Sequence, residues 1–149
     1  MFPEISPREV TCRRPPRNPQ QIIEAERAAY LDELPEPEPD WPPDVRAVYR
    51  TLRDRLFDWE GVEAQDVIED CGIGSHDVYS RFRYVKGHGI KGFVVYHRMQ
   101  LAKRLLRYDS LSVSEVAFAV GYSSPSGFSK TFKRHEGQSP TAFREQEEG

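Results

Sequence analysis

The stretch Ser112-Val113-Ser114-Glu115-Val116-Ala117-Phe118-Ala119-Val120-Gly121-Tyr122, followed by Ser124-Pro125-Ser126-Gly127-Phe128-Ser129-Lys130-Thr131-Phe132-Lys133-Arg134, reads as helix, turn, helix. Ser112 or Ser114 is placed to cap the first helix, which carries Glu115, Val116, Ala117 and Val120. Ala117 is small where a second helix must cross closely. Gly121 suits a turn that needs positive φ, a region that costs an L side chain about 1 kcal/mol or more. Ser124 caps the second helix and Pro125 takes its first position, where a missing N–H costs nothing. Phe128 and Phe132, four apart, share the core face. Ser126, Ser129, Lys130 and Lys133 are left on the outer side. A third cap, Ser139 with Pro140 after it, opens a last helix that buries Phe143.

The same pattern occurs earlier in the chain. Gly72, Phe82, Gly87 and Phe93 recur as Gly121, Phe132, Gly137 and Phe143, at offsets of 49, 50, 50 and 50 residues. A repeat of this period is one supersecondary unit used twice. In the first copy, Val45, Val48, Tyr49, Leu52 and Leu56 form the apolar stripe of a helix beginning near Asp44. A short helix near Glu63–Cys71, with Val67 and Ile68 inward, ends at Gly72. Another covers about Ser75–Lys86 and packs Val78 and Phe82. After the break at Gly87–Gly92, a long helix covers about Phe93–Arg107, with Phe93, Tyr96 or His97, Leu101 and Leu105 as its stripe. Gly89 stands where Ser139 stands in the second copy, so the helix after it is the more weakly capped. No alternating strand pattern with hairpin turns occurs. The expected fold class is therefore all-α. Two helix-turn-helix, homeodomain-like units, residues 44–92 and 109–149, are joined by a connector helix at 93–108. A proline-rich acidic extension, residues 1–43, precedes them.

Composition bounds the function. The chain has 149 residues, enough for one ordinary domain or two very small ones sharing a core. Its formal net charge of -3 is unevenly spread. Residues 1–43 hold five Arg and nine acids, while Ser75–Glu136 hold eleven Lys/Arg and four acids. A basic region is masked in the total, and attraction to phosphate depends on the local face. Ten of the twelve prolines fall in residues 1–43, which favours extended chain there. Between them, Pro19–Leu34 can form one short helix with Ile23, Tyr30, Leu31 and Leu34 on one side and Glu24, Glu26 and Asp32 outside. That helix either docks on the main body or contacts a partner. Cys12 and Cys71 have no pair spacing for zinc, and no disulfide scaffold is indicated. No apolar run is long enough to span a membrane, and no signal-peptide pattern appears. A reducing cytoplasm is the expected location, with no membrane partner.

Gly87-His88-Gly89-Ile90-Lys91-Gly92 spells G-x-G-x-x-G. That motif binds nucleotides only between a strand and a helix, and the residues before it continue a helical stripe. The four His are scattered without metal spacing. No nucleophile–base–orienter set is apparent in the sequence, so no enzymatic reaction, metal or cofactor is expected.

Residues 97–144 resemble the C-terminal DNA-binding domain of AraC-type bacterial transcription regulators. The resemblance lies in Arg98-Met99-Gln100-Leu101-Ala102-Lys103-Arg104-Leu105-Leu106, Val116-Ala117, Val120-Gly121-Tyr122, Ser126, Phe128, Phe132-Lys133 and Gly137-Gln138-Ser139-Pro140 through Phe143-Arg144. The first unit is similar more loosely, through Gly72, Val78, Phe82, Gly87 and Phe93. The resemblance implies two recognition helices held by a connector about 22 Å long against successive major-groove segments roughly 34 Å apart. One chain would then cover an asymmetric duplex site without a dimer. Regulation of transcription, mostly activation, with RNA polymerase as a second partner, is the implied role.

Position by position, the resemblance places His76, Asp77, Tyr79 and Ser80 in the groove in the first unit, and Pro125, Ser126, Ser129 and Lys130 in the second. Lys130 can donate to guanine O6 and N7. Arg83, Lys133 and Arg134 suit phosphates, which position a protein without specifying sequence. Ser80 stands where the family often has a basic residue; here the Arg is one place later, at Arg81, facing another side. Ile68 replaces the usual small Ala. These departures, with the net acidity, motivate a rival: an interaction module that keeps the fold without DNA affinity. An alkyl-transfer repair protein with a DNA-binding half is disfavoured because Cys12 lacks neighbouring cysteines. Residues 1–43 are too few for a β-rich sensor domain. A chain beginning at Asp44 is expected to fold and to bind DNA at least as tightly once the acidic extension is gone.

Overall fold

A computed structural model of the protein describes residues 18–58, 69 and 77–148. Seven helices run through these residues: α1 Pro19–Glu33, α2 Pro43–Arg55, α3 Val78–Lys86, α4 Ile90–Leu106, α5 Val113–Ala119, α6 Pro125–Glu136 and α7 Pro140–Glu148. The described residues contain no strand. Of the expected helix at Glu63–Cys71 only Glu69 is described, and it is helical and exposed; Val67, Ile68, Gly72 and the start at Ser75 and His76 lie outside the described residues.

The local chemistry sets these boundaries. The Ser112 hydroxyl accepts from the Glu115 amide at 3.0 Å, and the Glu115 carboxylate accepts from the Ser112 amide at 2.8 Å, closing a capping box on α5. Ser124 Oγ accepts from the Gly127 amide and Ser139 Oγ from the Ala142 amide, both at 3.1 Å, with Pro125 and Pro140 at the first helical positions. At the start of α4, Gly89 takes the capping position with extended backbone and no side-chain bond. The long helix therefore begins at Ile90 rather than at Phe93. On α1, Asn18 and Gln21 form a second capping box.

The duplication persists in three dimensions. Gly87 and Gly137 close α3 and α6 at φ +85 and +84, and their amides donate to Arg83 O and Lys133 O at 2.8 and 2.9 Å. Phe82 meets Phe93 edge-on with ring centroids 5.6 Å apart, and Phe132 meets Phe143 likewise at 5.7 Å. Each unit thus pins its helix, α3 or α6, to the next one with the same aromatic pair.

One apolar cluster draws on all seven helices. α4 is its axis, burying Ile90, Phe93, Val94, Met99, Leu101, Ala102, Leu105 and Leu106. Those residues wrap more than one side, because α4 packs against both units and against α1. A single stripe describes it incompletely: His97 faces inward, whereas Tyr96 stays 44% exposed. α1 contributes Ile22, Ile23 and Tyr30 to this core, with Leu31 and Leu34 partly buried against it. Glu26, expected outside, is drawn in by the Tyr108 hydroxyl, which donates to it at 2.6 Å.

Candidate nucleic-acid interface

The cations of the chain divide by what they touch. Arg53 pairs with Glu36, Lys103 with Glu136, Arg104 with Glu33 and Arg107 with Glu147. Arg81 binds the Asp44 carboxylate through two guanidinium nitrogens. That contact holds the Asp44 carboxyl below the usual carboxylate range and turns Arg81 back onto α2, away from the outer face of α3. Arg144 donates to the Leu106, Tyr108 and Leu111 carbonyls, where α4 ends. Lys86 lies over the Trp41 and Tyr49 rings at 4.9 and 5.1 Å, and burial pulls its ammonium below its ordinary value.

Among the described residues, Arg83, Lys91, Lys130, Lys133 and Arg134 have no carboxylate partner, and all are exposed, as is Arg50 on α2. Arg83 is on α3, Lys91 in the first turn of α4, and the other three on α6. On α6, Phe128 and Phe132 are fully buried, which leaves Ser126, Lys130, Lys133 and Arg134 exposed, with Pro125 and Ser129 half-buried beside them. Val78 and Phe82 fix α3 in the same way, leaving Ser80 and Arg83 exposed and Tyr79 half-buried. Asp77 is exposed just before α3 and gives it no side-chain cap. His76 is outside the described residues.

Tyr79, Ser80 and Arg83 come together with Tyr84, Gly89, Ile90 and Lys91 around a shallow hollow of about 720 Å³. Lys91 and Tyr84, which is 91% exposed, join this group without having been singled out from sequence. An Arg, a Lys and amides of a helix start that lacks a side-chain cap are chemistry suited to an anionic oxygen. In the G-x-G-x-x-G stretch Gly87, His88 and Gly89 are the tight turn from α3, and Ile90, Lys91 and Gly92 begin α4, so a helix and not a strand precedes it.

Burial pushes the Tyr30 hydroxyl well above its usual range, and its oxygen lies 2.5 Å from His97 Nδ1. His97 is pulled down to about 4, mainly by desolvation and then by the nearby His88 and Lys86. This pair belongs to the junction of α1 with α4, not to the outer faces of α3 and α6.

The sequence model of the helix-turn-helix domain matches residues 69–146. The chain belongs to the AraC-type helix-turn-helix family. Among its curated relatives, the Msm operon regulatory protein of Streptococcus mutans is 31% identical over 85 residues, covering 57% of this chain and 31% of that protein. The lactose operon transcription activator of Staphylococcus xylosus is 31% identical over 83 residues, covering 56% and 30%. The chain thus spans about a third of the length of these AraC-type relatives. A solved structure, the DNA-binding domain of the global transcriptional factor AdpA in complex with a target DNA, superimposes with a TM-score of 0.61 at 25% identity, covering 70% of this chain and 93% of that one. Proteins of this AraC-type family are sequence-specific DNA-binding transcription regulators.

Proposed function

We propose that this chain binds duplex DNA through α3 and α6, set in successive major-groove segments, and regulates transcription from the cytoplasm. The observation that carries the reading is the sorting of cations. Among the described residues, those elsewhere are mostly spent on carboxylates, carbonyls or rings, with Arg46 and Arg50 on α2 the exceptions, whereas α3, the start of α4 and α6 keep five exposed ones without a carboxylate. Lys130 donates to guanine O6 or N7, and Ser126 and Ser129 meet base edges beside Pro125. Lys133, Arg134, Arg83 and Lys91 hold phosphates. Asp77, Tyr79 and Ser80, with His76, form the first unit's groove-facing set. Activation through contact with RNA polymerase extends this reading and is supported by the activator name of the Staphylococcus xylosus relative.

Binding of a fluorescent duplex at a series of salt concentrations tests it. About five phosphate contacts give a log–log slope near -4 to -5. An interaction module without DNA affinity would show no binding even at low salt.

A further inference from the structure

Two guanidinium groups lie between the two helix-turn-helix units. Arg98, from α4, donates to Leu56 O at 2.9 Å, Asp58 O at 2.8 Å and Gly121 O at 3.2 Å. Arg27, from α1, donates to Ala119 O through Nε at 2.8 Å and to Phe57 O at 3.4 Å. The five carbonyls belong to two short turns, one closing α2 and one closing α5. Helix ends leave carbonyls unpaired and carry negative partial charge, so two of them facing each other repel unless a cation stands between. Burial pulls both guanidiniums below their ordinary value, and the Asp58 charge acts in the opposite sense.

Arg98 is part of the connector. Arg27 comes from the N-terminal extension, and α1 is fastened along its length. Ile22, Ile23 and Tyr30 are buried, Tyr30 bonds His97, Glu26 accepts from Tyr108, and Glu33 pairs with Arg104. We propose that α1 is a brace setting the separation and angle of the two recognition helices, with Arg27 as its positioning residue. The extension is then part of what determines DNA specificity, contrary to the expectation that a chain beginning at Asp44 does without it. This consequence rests on the DNA-binding reading above; the brace itself does not.

Two recognition helices on one body act as a bivalent ligand, and the stiffer the link, the narrower the spacing they accept. One base pair inserted between the half-sites moves the second by about 3.4 Å and turns it by about 35°. A braced protein meets that displacement as lost contacts, worth about tenfold in affinity, as for a mismatch. A protein without the brace absorbs part of it.

The test uses the full chain with Cys12 and Cys71 changed to Ser and spin labels at Ser80→Cys and Lys130→Cys. Distances between the labels are measured in free protein, with and without Arg27→Gln. The brace predicts a narrow distribution that Arg27→Gln broadens while helical content by circular dichroism is kept. An unchanged distribution overturns the proposal. Should Arg27→Gln unfold the chain, Tyr30→Phe with Glu33→Gln, which loosens α1 from α4, replaces it under the same criterion. In a second arm, unlabelled protein with native Ser80 and Lys130 meets a duplex that the wild-type chain selects from a random pool, and the same duplex with one inserted base pair. Arg27→Gln is expected to shrink the insertion penalty from about tenfold to a few-fold. Undiminished discrimination contradicts the specificity role. Broadening in free protein with no duplex bound by the wild type leaves the brace standing and removes the DNA-binding reading.

Discussion

The Arg98 guanidinium fills the space that a side chain at Gly121 would need. A Cβ built there stands 2.7 Å from Arg98 Cζ and 2.9 Å from the Asp58 carbonyl, and Gly121 has φ +104. Gly137 has a similar left-handed backbone, φ +84, but nothing within 4 Å of such a Cβ. Gly137→Ala should therefore cost about 1 kcal/mol, the backbone strain alone. Gly121→Ala adds a collision with a buried, triply bonded cation and should cost about 3 kcal/mol or more. Urea denaturation of the two variants checks the difference; equal losses would show that Arg98 can move aside at no cost.

Lys130 and Ser80 test the division of labour between the units. Lys130 is exposed on a side-chain-capped helix, whereas Ser80 stands on α3, whose nearest Arg, Arg81, is bound to Asp44. Lys130→Ala should relax sequence preference and cost about 1–3 kcal/mol of binding, with Ser80→Ala costing less. Binding constants on a selected duplex and on single-base variants decide this. Equal or reversed effects would contradict the ranking.

His97 gives stability a pH dependence of definite sign. Its folded value of about 4 lies below the ordinary value of 6.5, so the unfolded chain binds the proton first. The contribution is complete above about pH 6.5 and is lost as pH falls toward 4. After discounting for its partly exposed ring, the loss should be ~2 kcal/mol. Urea melts of the wild type and His97→Gln at pH 7 and pH 4.5 isolate it. A wild type whose stability falls no more steeply than the variant's would contradict the buried, neutral imidazole.

Much of this fold was legible because its signals are local. Ser112 and Glu115, Ser124 and Pro125, and Ser139 and Pro140 announce helix starts within three residues, and the paired Gly87 and Gly137 announce ends. The outer faces of α3 and α6 followed from their buried Phe82, Phe128 and Phe132. The contacts that join the units were not legible in this way. Arg27 reaches Ala119 across 92 positions of chain, and nothing near either residue marks the bond. Arg98 did leave a trace. It falls on the apolar row of Val94, Leu101 and Leu105, where an unpaired cation is costly, and such an arginine must find several oxygens. Lys91 and Tyr84 were missed because their place beside Arg83 depends on how α3 turns into α4 at Gly87.

Selection of bound duplexes from a random DNA pool by the full chain, followed by footprinting of the protein on a recovered site, tests the central claim most directly. Reading by both α3 and α6 predicts an asymmetric site with two preferred segments about 10 base pairs apart, the segment under α6 the better defined. Recovery of no preferred sequence, or of a single segment with no second one at that spacing, would contradict two-helix readout.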